Sequence, residues 1–305
     1  MEKYTKLSSQ DISFFETIFG ERMITDKEFM SDYAQDETED LIYYPAVVVI
    51  PIDAKEISKT LKYCSEHEIP VTPSGARTGL SGGSLPVFGG VLISSEKLNK
   101  IIEIDEKNHQ VVTEPGVITE VLQNTVKEKG LFYPPDPASK GSCFIGGNIA
   151  ENSGGPKAVK YGVTADYVLN LEIVLPNGEI IWTGANVLKN ATGYNLTQLI
   201  VGSEGTLGMV TKIVLKLIPH PTNDLLMLVP FFDAEKACEA VAAIFREGIT
   251  PSGLEFMERD ALIWTQKFTN DTSINVADSH AAHLLIEVDG FDPDQLMKEC
   301  EEIIG

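Results

Sequence analysis

Apolar residues recur along this chain in two rhythms, and each rhythm predicts elements. The run AVVVIP, residues 46–51, is unbroken and rich in β-branched residues, as a strand buried on both faces requires. Asp53 and Glu56 then make a capping-box-like start to a helix that runs to about His67, where a cation suits the negative end of the helix dipole. VTPSG reads as a short strand, and GVLISS followed by IIEIDEKNHQVVTEPG alternates and turns like paired strands. Ile118, Val121, Leu122, Thr125 and Val126 fall at helical spacing before a stop at Gly130. From Leu131 to Gly162 proline and glycine are too dense for a long strand or helix, so a mostly irregular and hence functional segment is expected. LNLEIVLPNGEIIWTG is a hairpin with Asn177-Gly178 at a two-residue type I′ turn, and the glycine cluster Gly202 to Gly208 feeds the strand MVTKIVLKLIP.

Beyond a linker at His220-Pro-Thr-Asn223 the pattern becomes strand (LLMLVPFF), helix (233–247), strand (SGLEFM), helix (about 259–268), strand (HLLIEVDG) and helix (292–304). This is most of a βαβ-βαβ layout without its last strand. The expected fold class is therefore α+β, with a first domain over 1–220 and a partial second domain over 221–305. A length of 305 residues fits two domains.

Charge narrows the partners. A formal net charge of −21 argues against nucleic acid, whose binding depends on clustered Lys and Arg. Any phosphate must be held by local groups. Cys64, Cys143, Cys238 and Cys300 lie far apart without a CxxC pair, so no zinc, iron–sulfur or disulfide framework is expected. The N-terminal MEKYTKLSSQDISFF has no apolar core of a signal peptide, and no run reaches the ~18 apolar residues of a membrane span. The expectation is a soluble, cytoplasmic protein.

The stretch PSGARTGLSGG, residues 73–83, holds four glycines in eleven residues. A Walker A loop needs Lys-Ser/Thr after its last glycine, and Gly83 is followed by Ser84-Leu85. A dinucleotide fingerprint needs G-x-G-x-x-G opening a helix, and this loop runs into Pro86 instead. What remains is either a surface loop of tight turns or a concave run of main-chain donors able to wrap a pyrophosphate without a lysine. Four or five such bonds, at roughly 1.5–3 kcal/mol each to a charged oxygen, would hold a dinucleotide even on an acidic protein.

PSGARTGLSGG, then YPPDPASKGSCFIGGNIAENSGGPKAVKYGVTADYVLNLEIVLPNGEI, then LIVGSEGTLGMVTK occur in that order. Together they resemble the p-cresol methylhydroxylase-type FAD-binding domain of the vanillyl-alcohol oxidase superfamily. More narrowly they resemble the branch that holds the FAD-linked subunit of glycolate oxidase together with D-lactate and D-2-hydroxyacid dehydrogenases. The likeness runs from about Tyr43 to Pro219 and more faintly to Gly248-Ile-Thr-Pro251. It implies a FAD-binding domain of two α/β subdomains followed by an incomplete ferredoxin-like cap.

The same resemblance implies the site. Pro73, Ser74, Gly75, Ala76, Arg77, Thr78, Gly79, Leu80 and Ser81 would surround the FAD pyrophosphate. Pro135, Asp136, Ser142, Ile145, Gly146, Gly147 and Asn148 would lie near the flavin and its ribityl chain, and Pro115, Gly116, Ala150 and Gly162 would also bind the cofactor. Ser153, Gly154 and Gly155 would pass the isoalloxazine, with Glu204, Gly205 and Val210 closing over the cofactor. Glycines at 146–147 and 154–155 would let backbone approach a flat ring, and nearby donors would favour reduced flavin. Some relatives tether FAD through a histidine in the phosphate loop, but Ala76, Arg77 and Thr78 offer no nucleophile, so noncovalent FAD is expected. Cys143 is expected as a plain buried thiol rather than a thioether link.

The chemistry implied is oxidation of a small-molecule D-2-hydroxy acid by hydride transfer to flavin N5, with electrons passed to an acceptor protein, a quinone or another acceptor. The family's histidine-rich motif, metal site and base lie beyond the residues matched, so the chain is expected to be a fragment or to need a second polypeptide. Its alternative role is a non-catalytic FAD-holding subunit. A homodimer or a partner subunit is left open, and no catalytic residue or metal ligand is assigned. His280 and His283, three apart at a strand start, are expected on opposite faces and not as a metal pair.

Overall fold

The computed structural model describes residues 4–305, which fall into two compact units. The first comprises 4–133, 137–153 and 163–218; the second comprises 134–136, 154–162 and 219–305. Two short excursions, expected with the first domain, therefore belong to the second unit.

In the first unit Val47–Val49 is flanked on one side by Met23–Ile24, antiparallel, and on the other by Val91–Ser94, parallel, with Val71–Ser74 at the far edge. The uninterrupted apolar run is explained by burial on both faces. Val47, Val49, Val91 and Ile93 pack with Phe15, Phe19, Ile57 and Leu61, whereas Val48, Ile50 and Leu92 pack with Met30 and Tyr33 on the reverse. Pro73 is tolerated because Val71–Ser74 is an edge strand. The helix Ala54–Glu66 begins where expected, with the Asp53 side chain accepting from Glu56 N. Only half the capping box forms, because the Glu56 carboxylate is taken by Arg22 at 2.6 Å and by the Ile52 N–H at 2.9 Å.

A five-stranded antiparallel sheet completes this unit in the order Ile101–Asp105, Gln110–Thr113, Met209–Lys216, Val168–Val174, Ile180–Trp182. Val174 and Met209 join the core of the first sheet, so the two sheets share one hydrophobic cluster. The Asn177-Gly178 turn is not type I′. Only Gly178 has positive φ, +85°, and Gly178 N donates to Leu175 O at 2.8 Å while Leu175 N donates to Glu179 O. Pro176 cannot adopt the positive φ of a type I′ turn, so the chain makes a type I turn followed by a left-handed glycine. The segment 131–162, expected as irregular, contains the short helices Ile145–Glu151 and Ala158–Tyr161.

The second unit is a three-stranded antiparallel sheet in the order Asn223–Phe231, Ala282–Gly290, Gly253–Glu258. The helices Ala234–Arg246, Arg259–Thr269 and Pro293–Ile304 alternate with these strands as the periodicity predicts. Ala282, Leu284 and Ile286 on one face of the central strand meet Ala237 and Ile244. The reverse face carries His283, Glu287 and Asp289. His280 lies before the strand begins, so strand alternation does not govern it, and its ring meets His283 edge-on at 6.3 Å rather than pointing away. Burial first and His280 second push the His283 pKa down. Among the described residues no helix is long and apolar enough to cross a membrane.

Candidate functional site

Val71–Ser74 delivers the chain at its carboxyl end into the glycine loop, the end where open α/β sheets build ligand sites. The loop, the helix Ile145–Glu151 and the turn 203–210 line one open cleft within the first unit. The helix is held from behind. Asn148 Nδ2 donates to Thr119 Oγ1 at 2.6 Å, and Thr119 Oγ1 also meets Cys143 Sγ at 3.2 Å, all three residues being buried. Asn148 and Cys143 therefore set the wall's position with groups already engaged.

The loop is different. Among the described residues, no main-chain N–H from Ala76 to Ser81 donates to a protein acceptor. These residues are half-buried to exposed, so water satisfies the donors until an anion replaces it. A run of six beside a cleft makes an anion cradle of the kind that successive backbone donors form.

Glycine geometry separates what the fold needs from what a ligand needs. A Cβ on Gly146 would stand 2.6 Å from Pro115 Cβ, and one on Gly155 would stand 2.2 Å from Asp136 O, so packing dictates both glycines. Gly79 and Gly147 are the opposite case: a Cβ there would meet nothing within 4 Å, and neither has positive φ. Gly147 even sits inside a helix, where glycine costs about 1 kcal/mol relative to alanine. Bare backbone at these two places on the cleft wall fits close approach by a bound group. The cradle and these glycines fit a dinucleotide pyrophosphate.

Among the described residues the charged side chains lining the cleft are Arg77 and the carboxylates of Asp36, Glu151 and Glu204. A Cβ on Gly83 would lie 3.0 Å from Glu204 Oε2 and 3.2 Å from Glu151 Oε1, so the two acids converge above it. Partial burial first, and the neighbouring Glu204 second, raise the Glu151 pKa above its ordinary value. Beneath the loop Tyr33 donates to Glu96 Oε2 at 3.0 Å, and burial followed by that carboxylate pushes its pKa up to about 12. Tyr33 is thus a neutral, fixed platform.

Of the residues singled out from the sequence, Pro73 to Gly79, Ser81, Pro115, Gly146, Gly147, Asn148, Ala150, Ser153, Glu204, Gly205 and Val210 line the cleft. Leu80 does not; it is 77% exposed. Gly116 packs against Ser95 O, Ser142 is exposed with its hydroxyl on Ser139 O, and Ile145 is buried in the core. Pro135, Asp136, Gly154, Gly155 and Gly162 fall in the second unit, where Asp136 Oδ1 accepts from Lys157 N at 3.1 Å. Sequence reading missed Asp36 and Glu151. Asp36 comes from a turn whose Glu37 N–H donates to Gly79 O, a contact with no motif behind it. Glu151, three residues after Asn148 on one helix, could have been found by helical spacing.

A cleft lined by the main-chain donors of a glycine loop suits a dinucleotide, and the comparisons point to one family of such domains. Residues 45–184 match the model of the FAD binding domain, and 220–305 match that of the FAD linked oxidases, C-terminal domain. The chain thus carries a FAD binding domain followed by a FAD-linked-oxidase C-terminal domain, in that order along the sequence. It is 44% identical to glycolate oxidase subunit GlcD of Bacillus subtilis (strain 168) over 85% of this chain and 54% of that protein. It is 42% identical to a D-lactate dehydrogenase of Anaerostipes hadrus over 87% of this chain and 56% of that one. The chain thus spans about half the length of these curated relatives. The fold is shared with alkyldihydroxyacetonephosphate synthase at a TM-score of 0.83 and 18% identity, over 99% of this chain and 59% of that one.

Proposed function

We propose that the chain holds FAD noncovalently in the cleft of its first unit, as the cofactor-binding part of an enzyme that oxidises a D-2-hydroxy acid of the glycolate or D-lactate type. The observation that carries the reading is the run of unspent main-chain donors from Ala76 to Ser81 beside two glycines the fold does not need. These donors would grip the pyrophosphate, at roughly 1.5–3 kcal/mol for each bond to a charged oxygen. Gly79 and Gly147 leave room for that approach, and Pro73, Gly205 and Val210 add apolar surface to the cleft lining. Bound FAD would supply a hydride acceptor at N5, and a protein or quinone acceptor would take the electrons onward. Ala76, Arg77 and Thr78 contain no group for covalent attachment, which supports noncovalent binding.

The first test is titration of the apoprotein with FAD, followed by quenching of flavin fluorescence. Saturable uptake at micromolar concentration or below is expected, and no uptake overturns the reading. Anaerobic addition of glycolate, D-lactate or D-2-hydroxyglutarate to the loaded protein should then bleach the flavin. Bound FAD that none of these bleaches would replace the enzyme with a FAD-holding subunit.

A further inference from the structure

Arg77 occupies a backbone position that argues against any side chain. Its φ is +60°, in the left-handed region that glycine enters freely and an arginine enters under strain. Glycines stand nearby at 75, 79, 82 and 83, yet this place holds the longest cation available. The strain persists only because something holds the residue there.

What holds it is local. The guanidinium lies 4.6 Å over the Tyr33 ring, Nη1 donates to Gly75 O at 3.0 Å, and Ser74 Oγ is a weaker partner at 3.4 Å. Tyr33 is itself fixed by Glu96. None of the partners of Arg77 is an anion, and among the described residues no carboxylate reaches it at ion-pair distance. A guanidinium has five N–H donors, and two contacts leave most of them unspent. Among the described residues Arg77 is also the one cation lining the cleft, against the carboxylates of Asp36, Glu151 and Glu204. A diphosphate ester entering this cleft meets an adverse field unless Arg77 offsets it.

We propose that Arg77 is the phosphate-binding side chain of the cleft, presenting its guanidinium from the Tyr33 platform to the diphosphate of a dinucleotide. The main-chain donors shape the cradle, and Arg77 supplies its charge. Stacking on Tyr33 pre-organises the planar fork that pairs with phosphate oxygens, a geometry lysine does not reproduce. This rests on the FAD reading above and extends it from a backbone-only grip to a named side chain.

The substitution Arg77→Gly gives opposite signs for a structural and a binding role. It removes the positive-φ strain, so an arginine that merely shapes the loop predicts equal or tighter FAD binding. The proposal predicts instead FAD binding weakened about 10- to 100-fold, the equivalent of one charged hydrogen bond to phosphate, with an apoprotein melting temperature unchanged or raised. Riboflavin, which lacks the diphosphate, should bind both proteins alike. Added salt should weaken FAD binding less steeply in the variant, since a charged contact is gone. Arg77→Lys, which keeps charge and strain but not the fork, should fall between the two and serves if the glycine variant does not fold. FAD binding by Arg77→Gly within twofold of the parent overturns the Arg77 proposal while the cofactor reading stands. A parent protein that takes up no FAD overturns both.

Discussion

The cradle from Ala76 to Ser81 and the cluster around Asp289 treat charge in opposite ways. Asp289, 5% exposed in the second unit, is saturated: Lys160 Nζ donates to its Oδ1 at 2.6 Å and to its main-chain O at 2.7 Å, and Tyr161 Oη donates to Oδ1 at 2.7 Å. Lys157 adds a 2.6 Å bond to Glu287 and lies 3.7 Å from Asp289 Oδ2. Every strong group there has a protein partner, which is what a cluster that pins the 154–162 excursion within its unit requires. In the cradle six main-chain donors and most of a guanidinium have none among the described residues. Completed electrostatics mark a structural joint, and uncompleted electrostatics mark a place for a ligand.

The largest effect should come from filling the cradle. Gly79→Asp puts a carboxylate into open space among the donors, where it would occupy them and repel the pyrophosphate. FAD affinity should fall by about a thousandfold, or roughly 4 kcal/mol, in a calorimetric titration. Affinity within tenfold of the parent would show that the loop does not hold the diphosphate. Asp289→Asn attacks the saturated cluster instead. A wholly buried pair loses about 3–5 kcal/mol when one partner is removed, but Lys157 and Lys160 are 20% and 28% exposed, so roughly 2 kcal/mol of local stability is expected. Hydrogen exchange should quicken over 154–162. Unchanged exchange there would make the cluster ornamental.

This contrast explains what was legible in the sequence. The periodic elements were, because burial on one or two faces writes itself into local pattern, as in Val47–Val49 and Ala282–Gly290. The glycine clusters announced close approaches but not their partners. Gly146 serves Pro115 and Gly155 serves Asp136, whereas Gly79 and Gly147 serve no protein atom, and only coordinates tell the pairs apart. The helix Ile145–Glu151 was hidden because two of its residues are glycine. The two excursions into the second unit were illegible for another reason. Lys157 pairs with Glu287 and Lys160 with Asp289 across 130 and 129 positions, a separation that local pattern does not encode.

The smallest effect tests whether the cleft's acids oppose its ligand. Glu151 has a raised pKa, through burial first and Glu204 second, so its ionised form is the unfavourable one in the folded protein. A carboxyl shifted upward contributes stability fully present below its unfolded value near 4.5 and lost as pH rises through the folded value. A bound diphosphate shifts the same equilibrium further toward protonation. FAD affinity of the parent should therefore rise a few-fold as pH falls from 7 toward that window, since a half-exposed pair contributes under about 1 kcal/mol. Glu151→Gln should bind FAD a few-fold more tightly at pH 7 and show a flatter pH profile. Binding measured as pH is lowered from 7 toward that window should also take up a fraction of a proton, read as a dependence of the calorimetric enthalpy on the buffer's ionisation enthalpy, and Glu151→Gln should lose most of it. Equal uptake in the two proteins would place the titrating group elsewhere and leave Arg77 facing one fewer opposing charge.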